Sequence, residues 1–434
     1  MKKVITVLSL VLVVLMALSG CIIHIPAASS PQPTVLAPTP SPAAATPSAT
    51  VSADVDAIVE SPVLDYVQAT AQQVAAVESL VAAKQKAIRD GDVAALLATV
   101  SPEDPWYMQE QKNLARSLKD FPVASFSLGV KDVMAAGSGE LKAAVTQTYT
   151  YKGQMRSCTY TERFVPKDGA LLDAGLAWNA LENGAVRVTY AAKAYRDVAM
   201  QSVNTVTAHL RDLEGRFGFT PDKKISIRIY DDSEIFTESI KLHLTTYQGG
   251  WTEYGESLKL MLGSTDFEDD YHLVLCHEST HYYLANMTND NACYWMQEGL
   301  ATMVENGIQG IDDLRVGRDY SLMELDKKGR LPGFDWLNET NPELLIDDGS
   351  IDAYYAAASF AVAWFIDTYG FEDFKKVCDA LRSDPYIEGT AAEKIPELNE
   401  YCLSAMERIT GHTRADFKAG YDKAIKEYVD SLKD

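Results

Sequence analysis

Two histidines stand four residues apart in LVLCHESTHYYLANM, with Glu278 directly after the first of them. Acidic residues followed by an apolar run predict a helix across this stretch. On a helix, His277 and His281 project from one face with their Cβ atoms about 5–6 Å apart. Both imidazoles then reach one zinc ion at about 2.0–2.1 Å. Glu278 adjoins the first ligand and points toward the open side of such an ion, where a general base would take a proton from water. Two ligands hold zinc poorly, so a third must come from elsewhere. The polar turn Asn286–Asn291 is followed by CYWMQEGLATMVENG, whose pattern predicts a second helix. Antiparallel packing of the two helices would carry Glu298 to the histidine pair. Two neutral imidazoles and one carboxylate leave zinc a net positive charge and an open position.

The run His277-Glu278-Ser279-Thr280-His281, with Trp295-Met296-Gln297-Glu298-Gly299-Leu300-Ala301 after it, resembles the gluzincin metallopeptidases, specifically the peptidase MA-like group. The resemblance covers roughly residues 195–434 and is weaker outside the two motifs. It implies zinc as cofactor, His277, His281 and Glu298 as its ligands, Glu278 as general base, and hydrolysis of peptide bonds in a peptide or protein substrate. It also implies an oxyanion donor on a later helix. Tyr354 occupies the matching position, Tyr355 is the second candidate, and a tyrosine merely packed against the active helix fits that position equally well. His209, His243, His272 and His412 belong to no motif. Thr302 stands where thermolysin-like relatives carry an aspartate that steadies a ligand, with Glu305 as the substitute. Gly249–Leu262 reads either as the edge strand along which an extended substrate would pair or as a plain surface hairpin.

The elements that must position these residues read as α+β. Helical spacing covers Asp65–Ile88, with Asp92 capping a second short helix, and a third runs near Gln109–Leu118. ASFSLGVKDVMA, GELKAAVTQTYTYKG, QMRSCTYTERFVPKDG and LLDAGLAWNALENG then alternate as antiparallel strands. Helices followed by a curled meander resemble the cone-shaped domains of the nuclear transport factor and cystatin-like superfamily, which implies a scaffold or a surface for a protein partner. This domain is expected over residues 61–193. A mostly helical metallopeptidase domain with a small sheet at its start, from KKISIRIYDDSEIF and SLKLMLGS, is expected over 194–434.

The first sixty residues predict a location. MKK, the apolar run after it and Leu18-Ser19-Gly20-Cys21 resemble a bacterial lipoprotein signal, which implies removal of residues 1–20 and a lipid on Cys21. Residues 21–60 form a linker rich in Pro, Ala, Ser and Thr that cannot bury a core. The chain is therefore expected outside the cytoplasm, anchored to the bacterial cell membrane. A formal net charge of −22 excludes nucleic acid as partner and direct docking on anionic head groups. Beyond Cys21 five cysteines remain, an odd number that means at least one free thiol or an intermolecular bond, and Cys378 and Cys402, near the ends of two adjacent helix-like segments, could pair. Two rivals to the peptidase reading are a non-catalytic zinc-containing binding lipoprotein and a zinc amidase acting on cell-wall material.

Overall fold

In the computed structural model the described residues are 57–244, 249–262, 269–305, 319–345 and 350–433. The signal segment, Cys21 and the linker up to residue 56 lie outside them. Two short strands, β1 (Val59–Glu60) and β2 (Tyr66–Gln68), precede helices α1 (Ala71–Asp90), α2 (Val93–Ala98) and α3 (Pro105–Asp120). The helix expected from Asp65 begins instead at Ala71, where Thr70 and Gln73 form a capping box, because Tyr66–Gln68 pairs with Met134–Ala136. Asp92 caps α2 as its position predicts, and Asp104 caps α3 with Pro105 in the first turn.

Strands β3 (Ala124–Ala136), β4 (Leu141–Tyr151), β5 (Gln154–Lys167) and β6 (Ala170–Leu176) follow as a meander. With β2 they make an antiparallel sheet of order β2-β3-β4-β5-β6. Helix α1 lies on it, burying Val77 and Val81 against Val133, Val145 and Phe164. Each such side chain contributes about 1.5–3 kcal/mol by leaving water. The helix also carries a charge inward. The Lys84 ammonium is buried and sits 2.7 Å from Glu162 and 2.5 Å from Asp173, while Tyr107 of α3 donates to Asp173 at 2.8 Å. That hydrogen bond ties α3 to the meander.

The second sheet draws on both sides of the expected boundary at 193/194. It contains β7 (Asn179–Glu182), β8 (Val186–Tyr190), β9 (Ile225–Tyr230), β10 (Gly250–Trp251) and β11 (Leu258–Met261), with β1 at one edge, in the order β1-β7-β8-β9-β11-β10. LLDAGLAWNALENG is thus two strands in two sheets. β7 and β8, assigned by sequence to the first domain, hydrogen-bond toward β9 instead, because Leu181, Val186, Val188 and Tyr190 bury against Ile225, Ile227 and the helix α4 (Arg196–Phe217). DDSEIF does not extend β9. Asp232 accepts from the amides of Glu234 and Ile235 and starts helix α5 (Ser233–Ile240).

Among the described residues eight α-helices follow: α6 (Asp269–Thr288), α7 (Tyr294–Glu305), α8 (Asp319–Lys327), α9 (Phe334–Glu339), α10 (Ile351–Tyr369), α11 (Phe371–Arg382), α12 (Ala391–Thr410) and α13 (Arg414–Ser431). One apolar core runs from the second sheet and α4 through α6, α7 and α10 to α13. Helix plus sheet is the mixture the α+β class expects. The two sheets are bound through α3. Its buried Glu110 lies 2.6 Å from the Arg228 guanidinium on β9, accepts from the Ser257 hydroxyl and lies 3.8 Å from the Lys259 ammonium on β11.

Candidate metal centre

The helix α6 carries HExxH along a buried stretch: Leu275, Ser279, Thr280, Tyr283 and Leu284 are all shielded from solvent. It ends at Asn289 and Asp290, both at positive φ (56° and 57°), a left-handed conformation that Asn and Asp tolerate better than most residues. The reversal is clamped from outside. Asn289 and Asn291 donate to the Asp384 carbonyl at 3.1 and 2.9 Å, and Lys394 pairs with Asp290 at 2.6 Å. Helix α7 then runs back beside α6.

Its closeness to α10 depends on Gly299. A Cβ there would lie 2.3 Å from the Ala358 carbonyl oxygen, inside any real contact, so only glycine lets the two backbones meet. This seats the neighbouring Glu298 at a fixed depth.

The three expected ligands converge. His277 Nε2 and His281 Nε2 are 3.1 Å apart, and Glu298 Oε2 is 3.4 Å from each. A tetrahedral ion with bonds of about 2.0–2.1 Å separates its donors by about 3.3 Å, so these spacings fit the group that the residue types imply. Glu298 Oε2 is buried and has no hydrogen-bond partner, a costly state for a carboxylate oxygen unless a cation completes it. Burial alone would raise the pKa of Glu298, but His281 and His277 outweigh it and hold the carboxyl well below its ordinary value. The set His277, His281 and Glu298 is the group of metal-capable side chains found among the described residues.

Glu278 turns to the same space. Its side chain is buried against β10: a Cβ on Gly250 would lie 2.6 Å from Glu278 Cγ and Oε1. Burial raises its pKa above the ordinary carboxylate value, and His277 and His281 pull it part of the way back. The Thr252 hydroxyl donates to the Glu278 carbonyl at 3.4 Å and ties β10 to α6.

All four residues line a cleft with a cavity volume of about 190 Å³. Tyr354 does not reach it. Its side chain is fully buried beside Trp336, with a hydroxyl that makes no hydrogen bond. Tyr355 lines the cleft instead, its ring 6.1 Å from that of His277. Consecutive helical residues point about 100° apart, so one position decides between core and cleft. The unassigned histidines stand elsewhere: His209 bonds Thr280 behind α6 at 2.9 Å, His243 stacks on Phe121 at 3.6 Å, His272 lies near Cys276, and His412 packs on Tyr369. Thr302 is buried, and the side chain of Glu305 lies outside the described residues. Cys378 and Cys402 are buried and not joined in a disulfide, nor are Cys158, Cys276 and Cys293, and the Cys402 sulfur accepts from the Cys293 amide at 2.9 Å.

Two contributors escaped the motifs. Gly250 could have been found from the glycine doublet beside a strand, a sign of close approach. The other is α3, whose Asn113, Arg116 and Ser117 line the cleft with no local sequence signal. No protein-family model and no curated protein sequence matches the chain.

Proposed function

We propose that the protein is a zinc-dependent peptidase of the gluzincin type, anchored outside the cytoplasm through a lipid on Cys21. The observation that carries this reading is the meeting of His277, His281 and Glu298 at tetrahedral spacing with Glu278 held beside them. Bound there, zinc would supply Lewis acidity that activates water and polarises a carbonyl. The chain's own residues do the rest. Glu278 takes the proton from the attacking water and returns it to the leaving amine. Tyr355, the tyrosine on the cleft wall, donates to the oxyanion that develops on the carbonyl.

Among the described residues β10 is the outermost strand of its sheet and runs past Glu278, so an extended peptide can pair with it by backbone hydrogen bonds. This edge favours a peptide over a cell-wall amide. The close fit of Gly250 around Glu278 favours an enzyme over a binder, since a binder has no use for a positioned base. The test loads the purified protein with zinc and offers a general peptide library. Cleavage that stops with chelator and with Glu278→Gln, while Glu278→Gln keeps its zinc, supports the enzyme. Stoichiometric zinc with no cleavage refutes it.

A further inference from the structure

Along β10 the distance from the catalytic carboxylate to the first domain is short. Gly250 faces Glu278, and three residues later Glu253 receives a hydrogen bond from Asn113 of α3 at 3.2 Å. At about 3.3 Å per extended residue this is about 10 Å, room for two or three substrate residues.

The turn after β10 meets two other pieces at that point. Asn113 also donates to Glu256 at 2.7 Å, and Gly255, at φ 81°, lies so close to α3 that a Cβ would sit 3.2 Å from Gln109 Cγ. The Tyr254 ring lies 5.5 Å from that of Tyr386, in the segment joining α11 to α12. Glu388 of the same segment closes the triangle, pairing with Lys112 at 3.0 Å and Arg116 at 2.8 Å, both on α3. The hairpin turn, α3 and the 386–391 segment therefore form one continuous rim.

The rim has a permanent part and a breakable part. α3 is fixed on one side by Tyr107 and Asp173 and on the other by buried Glu110 with Arg228. Glu388 is well exposed, so its pairs with Lys112 and Arg116 contribute little to folding and can be removed without unfolding the protein.

We propose that the first domain sets substrate length: α3, with the Lys112/Arg116–Glu388 ion pairs, closes one end of the metal cleft, so the site takes peptides whose chain ends two or three residues from the cut. Polypeptides that would have to pass through the cleft are excluded. This rests on the peptidase reading, and it makes the first domain part of the substrate site.

The test uses the zinc-loaded full chain and one 20-residue peptide sequence, offered linear and cyclised head to tail, with products mapped by mass spectrometry. The linear form is cut within two or three residues of an end, and kcat/KM for the cyclic form is at least tenfold lower. In Lys112→Ala/Glu388→Ala the gap narrows several-fold and cuts appear further from the end. Internal cuts scattered along the linear peptide by the unmodified protein, or equal rates on both forms, overturn the closure and leave the peptidase reading standing. If no linear peptide is cut at any length, the peptidase reading falls and the closure with it.

Discussion

Substituting Gly250 by alanine isolates the placement of the general base from metal binding. The new methyl would stand 2.6 Å from Glu278 Cγ and Oε1, and ordinary contact begins at 3.4 Å, so the carboxylate must retreat by about 0.8 Å. A misplacement of about 1 Å costs on the order of a hundredfold in rate, or about 2.7 kcal/mol of activation free energy. The three atoms nearest the added methyl all belong to Glu278, so the main displacement falls on that side chain and zinc should remain bound. Gly249→Ala is the built-in control, because its Cβ would meet Val274 at an unremarkable 3.6 Å. The assay is kcat and KM on a fluorogenic peptide, with zinc content measured on the same samples. The expected result is a fall of about a hundredfold in kcat for Gly250→Ala at full zinc occupancy and near-normal kinetics for Gly249→Ala. Gly250→Ala within threefold of the unmodified enzyme, or equal losses in both variants, would refute the placement argument.

Three further outcomes follow from other parts of the molecule. Tyr355→Phe should lower kcat on the order of 10²–10³-fold with little change in zinc affinity, whereas Tyr354→Phe removes a hydroxyl that has no partner and should leave kcat unchanged. Glu110→Ala takes from the buried Arg228 its nearest countercharge, leaving Asp104 at 3.7 Å while Lys259 keeps Glu256, and should cost about 3 kcal/mol in urea unfolding; a loss under 1 kcal/mol would mean that Asp104 or water compensates. Burial lowers His209 from 6.5 to about 4. The unfolded chain therefore binds the extra proton first, and about 3 kcal/mol of stability is present above pH 6.5 and lost as pH falls toward 4. His209→Gln should flatten urea midpoints across that window, and an unchanged slope would remove His209 as the cause.

The histidine pair was legible because its geometry is local. Four residues on any helix bring two rings together, so His277 and His281 needed only the prediction of α6. Glu298 needed a second helix and a motif, and its depth depends on Gly299, whose contact with Ala358 is a tertiary fact. Tyr354 and Tyr355 differ by one step of a helix whose rotation is set by its neighbours, so the tyrosine that the motif match picks lies in the core and its neighbour lies on the cleft wall. ISIRIY alternates as a strand, yet every one of its residues is buried, with the Arg228 guanidinium held against Glu110 of α3. No periodicity announces an ion pair 118 residues apart in the chain. The same distance hides the part α3 takes in the cleft, and chain order misassigns β7 and β8, whose partner lies beyond a long helix.

β1 deserves a mechanical consideration. It is the outermost strand on one side of the sheet and β10 is outermost on the other, so five inter-strand steps of about 4.8 Å, or about 24 Å, separate them. Any tension arriving through the preceding polypeptide falls first on Val59 and Glu60, held by two backbone pairings and by the grip of Glu60 on Arg196 and Tyr190. With so few pairings, that edge is expected to peel under load before the strands beside His277, Glu278 and His281 are disturbed.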